Sequence, residues 1–293
     1  MPQGNGPHRR GRRETVMSGI TTPAEPIGKR AISTRRCPIA GRAAVALCGM
    51  AAVACGGAAA SGPTANALAR SSGMTFSELA AGELGSAPTG KNYVRIVKFV
   101  QAPGQSIASK KHQAGFIYVQ SGLQQLTYTD EGTHVEIPPS TALFLQDIDH
   151  SHQTLAGALS TWYFIALWPD TPQSATLVPP STLVFKTEDL PPTAMPPGTY
   201  TETLRSVSLQ PGGRSPAHIF GGLEVVFVLD GTLKVDVAGQ APVQLPAGQA
   251  AYVPAHTLTQ EAAVGGQKVD YLAYFITEHG TAFETDSTSA PPG

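Results

Sequence analysis

A histidine, a phenylalanine and a glutamate lie close together in the stretch HIFGGLEVVFVLDG, which begins at His218. Residues two apart on a strand point to the same face, so His218 and Phe220 share a face. The glycine pair that follows can turn the chain and bring Glu224 back beside them. An imidazole and a carboxylate on one buried face are ligands for a divalent metal. Phe220 supplies no lone pair, so His218 and Glu224 are the candidate metal ligands of this stretch.

The first 54 residues have the composition of a signal peptide. Arg35-Arg36 precedes an apolar run, Ala43 to Ala54, which ends at Cys55 in AAVACGG. A twelve-residue helix spans about 18 Å, well short of the roughly 30 Å hydrocarbon core, so the run suits a signal sequence better than an anchor. AVAC resembles the lipobox of bacterial lipoproteins, which implies lipidation at Cys55, export and attachment to a membrane. The alternative is a disordered basic arm.

The charge and cysteine content of the remaining chain exclude several classes of function. After residue 54, 11 Lys and Arg stand against 19 Asp and Glu, a formal net charge of −8. This charge argues against a nucleic-acid partner. The three cysteines, Cys37, Cys48 and Cys55, all lie at or before the expected mature N-terminus. Any metal must therefore be held by His, carboxylate or amide groups.

Past a flexible tether at residues 55–74, short β-branched and aromatic runs dominate the chain. They include YVRIVKFV, WYFIALW and EVVFVL, and Gly, Pro, Asn, Asp and Ser separate them at the spacing of an all-β sandwich or barrel. Only TFSELAAGEL, residues 75–84, predicts a short helix, with Thr75 and Glu78 at capping-box spacing. The glycines of Ser121-Gly122 and Asp230-Gly231 are each expected to close a tight hairpin.

The chain repeats itself at an offset of 108 to 109 residues. FVQAPGQS matches SLQPGGRS, IYVQSGLQQLTY matches VFVLDGTLKVDV, and VEIPPSTALFL matches VQLPAGQAAYV. Two copies of one unit follow, at residues 75–178 and 201–280. The proline-rich residues 179–200 are predicted to be a linker, and residues 281–293 a disordered tail.

The second copy resembles the first cupin motif, Gly-x5-His-x-His-x3 or x4-Glu-x6-Gly. The matching positions are Gly212, His218, Phe220, Glu224 and Gly231, with every spacing kept and the second histidine replaced. PAGQAAYVPAH, from Pro246 to His256, resembles the second motif. The resemblance implies two tandem double-stranded β-helix (jelly-roll) barrels, a bicupin, from about Tyr93 to Ile276. It also implies one divalent metal, Mn, Fe, Ni or Zn, at His218 and Glu224, unless the lost histidine has abolished binding.

The resemblance places a fourth ligand near Thr259, about eleven residues after Gly248. Threonine is a poor ligand, so the candidates are the neighbouring Gln260 and His256. In ureidoglycine aminohydrolase-like bicupins a glutamine serves at about this place. Gln260 would need a one-residue bulge to point inward.

The first copy has a different and weaker set of candidate ligands. Lys110 stands at the first histidine position and His112 at the second, while His152 aligns with Gln260. Gly115 or Phe116 replaces the glutamate. His112 and His152 are the candidate metal ligands, and Lys110 is either an anion-binding pocket residue or a solvated side chain.

Two functions stay open. The first is an enzyme acting on a small metabolite by metal-assisted dioxygenation, decarboxylation, isomerisation or hydrolysis, with Phe220 shaping the substrate pocket. The second is a metal-free barrel that binds a small ligand or serves as a scaffold, with Phe220 as core filling. Homo-oligomerisation is implied by the resemblance alone.

Overall fold

The structure is a computed structural model that describes residues 72–108, 113–146, 148–155, 157–287 and 291. These residues form nineteen strands and one short 3₁₀ turn, Pro192–Ala194. Lys110, His112 and Cys55 lie outside the described residues. Within the described ranges, no helix is long and apolar enough to cross a membrane.

Nine strands build the first barrel. They are β2 (Asn92–Gln101), β3 (Ser106–Ala108), β4 (Gly115–Ser121), β5 (Gln124–Tyr128), β6 (His134–Ile137), β7 (Thr141–Leu145), β8 (His150–Thr154), β9 (Ser160–Pro169) and β10 (Ser181–Lys186). A five-stranded sheet in the order β10-β2-β9-β4-β7 faces a four-stranded sheet in the order β3-β8-β5-β6.

Ten strands build the second barrel. They are β1 (Ser72–Ser86), β11 (Thr199–Arg214), β12 (His218–Phe220), β13 (Leu223–Asp230), β14 (Thr232–Val237), β15 (Val243–Pro246), β16 (Ala250–Val253), β17 (Leu258–Ala263), β18 (Val269–Glu278) and β19 (Glu284–Asp286). Seven of them follow the order β15-β14-β17-β11-β18-β13-β16, while β1 pairs with β11, β12 with β17, and β19 with β12.

Two strands, β1 and β10, pair outside the units that the sequence predicts for them. β1 was predicted to open the first unit as a helix, but it runs antiparallel to β11, from Ser72 opposite Arg214 to Ser86 opposite Thr199. Backbone pairing along this length overrides the local helix preference of the segment. β10 lies in the predicted linker, yet it pairs with β2 of the first barrel. The predicted start of the first unit at residue 75 and of the linker at residue 179 therefore do not coincide with the limits of the two barrels.

The predicted hairpin glycines occupy positions that only glycine fills easily. Gly122 has φ +78°, and a Cβ there would lie 2.7 Å from the Cα of Ser160. Gly231 has φ +80°, and a Cβ there would collide with the carbonyl oxygen of Lys268. Both glycines thus allow tight turns into strands that pack directly against them.

Three apolar clusters stabilise the fold. One fills the first barrel around Trp162 and Leu126, and another fills the second barrel around Val226 and Phe275. The third lies between the barrels, where β2, β4 and β9 face β11, β13 and β18. There Tyr163 meets Phe227 with 5.0 Å between ring centroids. Both barrels belong to one compact unit.

Candidate metal centre

The interior of the second barrel brings one histidine and two glutamates together. His218 on β12, Glu224 on β13 and Glu261 on β17 are only 3%, 2% and 1% exposed. One ligand atom from each residue lies within 4.8 Å of the other two. Two consecutive strands, β12 and β13, and the more distant β17 thus bring one imidazole and two carboxyl groups close together.

Two glycines make this convergence possible. Gly221 and Gly222 link β12 to β13, and a Cβ at Gly222 would collide with the carbonyl oxygen of Ile276. A Cβ at Gly221 would collide with the carbonyl oxygen of Ala282. The chain can therefore turn against its neighbours only without side chains here, and Glu224 enters the barrel beside His218 as the sequence predicts.

Ser215 holds Glu261 in place through its hydroxyl and its backbone. The hydroxyl donates to Oε2 of Glu261 at 2.6 Å and accepts the backbone N–H of Glu261 at 2.9 Å. The backbone N–H of Ser215 donates to the carbonyl of Glu261, also at 2.9 Å. These bonds orient the carboxylate and leave Oε1 of Glu261 without a hydrogen bond.

The tautomer of His218 follows from its backbone contact. Nδ1 lies 2.8 Å from the carbonyl oxygen of Pro216, which can only accept, so Nδ1 carries the proton. In the neutral ring Nε2 then presents a lone pair to the interior. Nε2 lies 3.8 Å from Oε2 of Glu261 and forms no hydrogen bond. A carbonyl that orients an imidazole in this way is a common arrangement at metal sites.

The two carboxyl groups raise the cost of leaving the site without a cation. Burial, followed by the nearby Glu261 and Glu284, raises the pKa of Glu224 well above its usual range, while Arg205 acts in the opposite direction. Oε2 of Glu224 also has no hydrogen-bond partner among the described residues. A proton or a metal ion must therefore compensate the paired carboxylates.

Glu261 is the candidate ligand that sequence reasoning missed. Thr259 lies opposite His218 in the pairing of β12 with β17, and Glu261 follows it on the same side of β17. Gln260 points to the other side, where its amide nitrogen donates to the carbonyl of Ser215 at 3.0 Å. His256 is exposed and has φ +58°, outside the group of donors. Neither Gln260 nor His256 joins the cluster. Alternation along β17 directs Glu261, and not Gln260, into the barrel.

Phe220 lies beside the cluster in a group of aromatic rings. Its ring meets His218 edge-on at 4.5 Å between centroids and packs on Phe275 at 4.4 Å. Phe283, which directly precedes β19, lies 5.5 Å from Phe220 and 5.0 Å from Phe275. The C-terminal segment predicted to be a disordered tail therefore contributes a strand and an aromatic wall next to the site.

The first barrel presents a pair of histidines. Nε2 of His152 lies 3.0 Å from Nε2 of His150, and the His152 ring stacks on Trp162 at 4.8 Å. Nδ1 of His150 contacts the carbonyl of Ile148 at 2.8 Å, and burial lowers the pKa of His150. Asp149, the neighbouring carboxylate that could have completed a histidine site, is exposed. Because His112 lies outside the described residues, the structure does not pair it with His152.

Comparisons with known proteins agree with this architecture. A family profile described as a cupin domain matches residues 205–273, which span β11 to β18 and include all three clustered ligands. The chain also superposes on oxalate decarboxylase from Lactobacillus farciminis with a TM-score of 0.50 and 12% identity, over 70% of this chain and 88% of that chain. The chain therefore contains a cupin domain and has a two-barrel fold of the bicupin type.

Two further structures similar to this chain have lower TM-scores. A mutant of the Bacillus subtilis oxalate decarboxylase OxdC gives a TM-score of 0.48 at 12% identity, covering 70% of this chain and 78% of that one. AerE from Microcystis aeruginosa gives 0.45 at 16% identity, covering 63% and 88%. No curated protein matches this sequence. The superposition with a TM-score of 0.50 supports the all-β, two-barrel fold that the sequence predicted, and it shows no reaction.

Proposed function

We propose that the second barrel binds one divalent metal through His218, Glu224 and Glu261, and that the protein uses it for metal-assisted chemistry on a small metabolite. One observation carries the proposal. Among the residues that the structure describes, Nε2 of His218, Oε2 of Glu224 and Oε1 of Glu261 are buried without hydrogen-bond partners, and the three residues can present ligand atoms within 4.8 Å of one another. Orphaned buried acceptors of this kind are costly unless a cation satisfies them.

The donor set narrows the choice of metal. One imidazole and two carboxylates form a harder set than the two-histidine arrangement that the motif usually supplies. Carboxylate oxygens suit Mn²⁺, whereas additional imidazoles suit Zn, Ni and Fe. Two negative charges would also balance a divalent ion. Within the group of Mn, Fe, Ni and Zn, this site therefore favours Mn²⁺.

A bound metal would polarise a substrate oxygen and stabilise negative charge that develops on it. The residues of the chain have separate tasks. Ser215 fixes the direction of the Glu261 carboxylate, and the Pro216 carbonyl fixes the His218 ring. Phe220 and Phe283 exclude water from one side of the site. The choice among dioxygenase, decarboxylase, isomerase and hydrolase chemistry stays open.

Elemental analysis of the purified protein tests the proposal. We expect about one transition-metal ion per chain after exposure to Mn²⁺, in keeping with a single donor cluster. His218→Ala and Glu261→Gln should each lower metal affinity by at least roughly 10–100-fold, as even loss of an outer partner does. His134→Ala is the matched control, because this imidazole is exposed, lies on β6 of the first barrel and hydrogen-bonds with Thr127. Protein that stays metal-free and ignores added metal would refute the proposal.

A metal-free binding or scaffold barrel is the second candidate, and the aromatic cluster favours it. Phe220 stands where a ligand would be expected, and its ring packs against Phe275 and Phe283. In this case Glu224→Gln would leave function intact. A small-ligand screen, and not chelation, would then shift the melting temperature.

We also propose that the protein is exported and anchored to a membrane by lipid at Cys55, as AVACGG suggests. Mass spectrometry of the mature N-terminus and fractionation of Cys55→Ala test this; a Cys55→Ala protein still bound to membranes would contradict it. The partner is expected to be a small molecule and not nucleic acid, since the chain after residue 54 is acidic. Light scattering would test the homo-oligomer suggested by the cupin resemblance.

A further inference from the structure

Arg95 carries a positive charge into the interior of the first barrel. It lies on β2 between Val94 and Ile96, whose side chains belong to the core between the barrels. Strand alternation directs Arg95 to the opposite face, toward the inside of the first barrel. The residue is only 6% exposed, so its guanidinium has lost most of its contact with water.

The surroundings of Arg95 satisfy only part of its hydrogen-bonding capacity. The guanidinium stacks on the Trp168 indole, with Cζ 3.9 Å from the ring centroid. Nη1 donates to the carbonyl of Ser174. Nε of Arg95 and Nε1 of Trp168 are both buried and have no acceptor among the described residues. Two unpaired N–H donors therefore accompany one buried cation.

The second barrel shows how a comparable arginine is normally compensated. Arg205 on β11 also points into its barrel, since Leu204 before it faces the core between the barrels. Nη1 of Arg205 forms an ion pair with Oε2 of Glu284 at 3.3 Å. Among the described residues, Arg95 forms no such pair with a carboxylate. The two barrels thus hold similar cations, but only the second supplies a counter-ion from its own chain.

An isolated buried charge is expensive, and stacking on an indole offsets only part of the cost. Burial lowers the pKa of Arg95, and Tyr93 opposes that shift. A guanidinium nevertheless keeps its proton in proteins, so neutralisation by proton loss is not open to it. Compensation must therefore come from a negative charge.

We propose that the first barrel contains a binding site for a small anion of the carboxylate type, with Arg95 Nε–H and Trp168 Nε1–H as donors. Both unpaired donors belong to one stacked pair, with Cζ of Arg95 3.9 Å from the centroid of the Trp168 ring. The planar guanidinium matches a carboxylate better than a spherical ion. The site shares no residue with the metal centre of the second barrel, so it stands independently of the proposed function.

Tryptophan fluorescence measures this binding directly. The chain has two tryptophans, so Trp162→Phe leaves Trp168 as the single reporter. In that background we expect sodium acetate to change the Trp168 emission saturably, at ionic strength held constant with a large sulfonate buffer. Chloride and phosphate, tested separately, should bind more weakly than acetate. Arg95→Gln should weaken acetate binding at least about tenfold, because a charge-assisted hydrogen bond is lost.

Arg205→Gln is the matched control, since Arg205 already has Glu284 as its counter-ion. It should leave acetate affinity unchanged. Collisional, non-saturating quenching with the same slope in Arg95→Gln would overturn the proposal. So would loss of binding in Arg205→Gln with binding kept in Arg95→Gln.

A second measurement covers the case in which Arg95→Gln fails to fold. Acetate should raise the melting temperature of the unaltered protein above its value in the sulfonate buffer, because a ligand that binds only the native state stabilises it. Trp168→Phe keeps an aromatic ring under Arg95 but removes one donor. Acetate should therefore raise the melting temperature of this variant by less. Equal melting temperatures of the unaltered protein in acetate and sulfonate would also overturn the proposal.

Discussion

The candidate metal centre of the second barrel combines two buried carboxyl groups with one imidazole. Two of the three candidate ligands are oriented by a bond made elsewhere: Glu261 by Ser215, and His218 by the Pro216 carbonyl. Such outer partners usually change metal affinity by about 10–100-fold when they are lost. At the scale of single residues, the outer bonds of Glu261 and His218 therefore support the site as much as the candidate ligands themselves do.

Restoring the missing histidine should strengthen metal binding. Phe220 shares the inward face of β12 with His218, and their rings are 4.5 Å apart. Phe220→His should raise Mn²⁺ affinity at least about tenfold, because it adds an imidazole donor. Isothermal titration of the metal-free protein measures the change.

Ile219→His is the control for this prediction, because residue 219 points to the opposite side of β12. It should leave affinity unchanged. Equal affinity of Phe220→His and the unaltered protein would show that residue 220 does not reach the ion.

At the scale of single residues, the sequence predicted His218 and Glu224 but not Glu261. The motif spacing locates the first two on the consecutive strands β12 and β13. The third depends on which residues of β17 face inward, and this is decided by the pairing of Thr259 with His218 across the barrel. No local sequence pattern shows whether Gln260 or Glu261 points into the barrel. Burial does not separate them either, since both residues are buried.

The short strand β19 closes the second barrel next to the site. It pairs with β12, placing Asp286 opposite His218 and Glu284 opposite Phe220. The N–H of Gly221 also donates to the carbonyl of Phe283 at 3.0 Å. The strand that carries His218 thus depends on a segment whose composition resembles a disordered tail, and only the tertiary contacts explain its order.

Shortening Phe283 should loosen this closure. Its ring packs on Phe220 and Phe275, and the Arg205 guanidinium lies 4.2 Å from its centroid. Because the ring is only partly buried, Phe283→Ala should cost about 2–3 kcal/mol of unfolding free energy, less than the roughly 3–5 kcal/mol of a core phenylalanine. Urea denaturation measures this loss.

Phe76→Ala is a suitable control, since Phe76 also lies under Arg205 but is 57% exposed. Its cost should be below about 1 kcal/mol, as for most surface substitutions. A Phe283→Ala protein as stable as the unaltered one would show that the segment does not stabilise the barrel.

The two barrels are linked by an exchange of strands, in which β1 pairs with the second barrel and β10 with the first. The internal repeat predicted two similar units, because each copy keeps the same alternation and turn glycines. It could not predict the exchange, since pairing partners are chosen by the whole sheet and not by the segment itself. The apolar face between the barrels is built from the outer sides of both large sheets, and it buries one acidic residue, Glu202.

Glu202 makes the stability of the whole molecule depend on pH. Tyr274, in the core between the barrels, donates a hydrogen bond to its Oε1, while Oε2 has no partner. Burial raises the pKa of Glu202 to about 8, although the bond from Tyr274 acts in the opposite direction. A carboxyl whose pKa is higher in the folded state favours folding most strongly when it is protonated. Its stabilising effect is complete below the usual glutamate range and is lost as the pH rises to about 8.

The unfolding free energy of the metal-free protein should therefore fall between pH 5 and pH 8, and Glu202→Gln should remove part of that fall. The difference between the two profiles should be on the order of 4 kcal/mol, the linkage expected for a shift of this size. Urea denaturation in the presence of a chelator, at intervals across this range, measures both profiles. Glu278→Gln is the matched control, because Glu278 lies on the exposed end of β18. Parallel profiles for the unaltered protein and Glu202→Gln would mean that Glu202 is already ionised between the barrels at neutral pH.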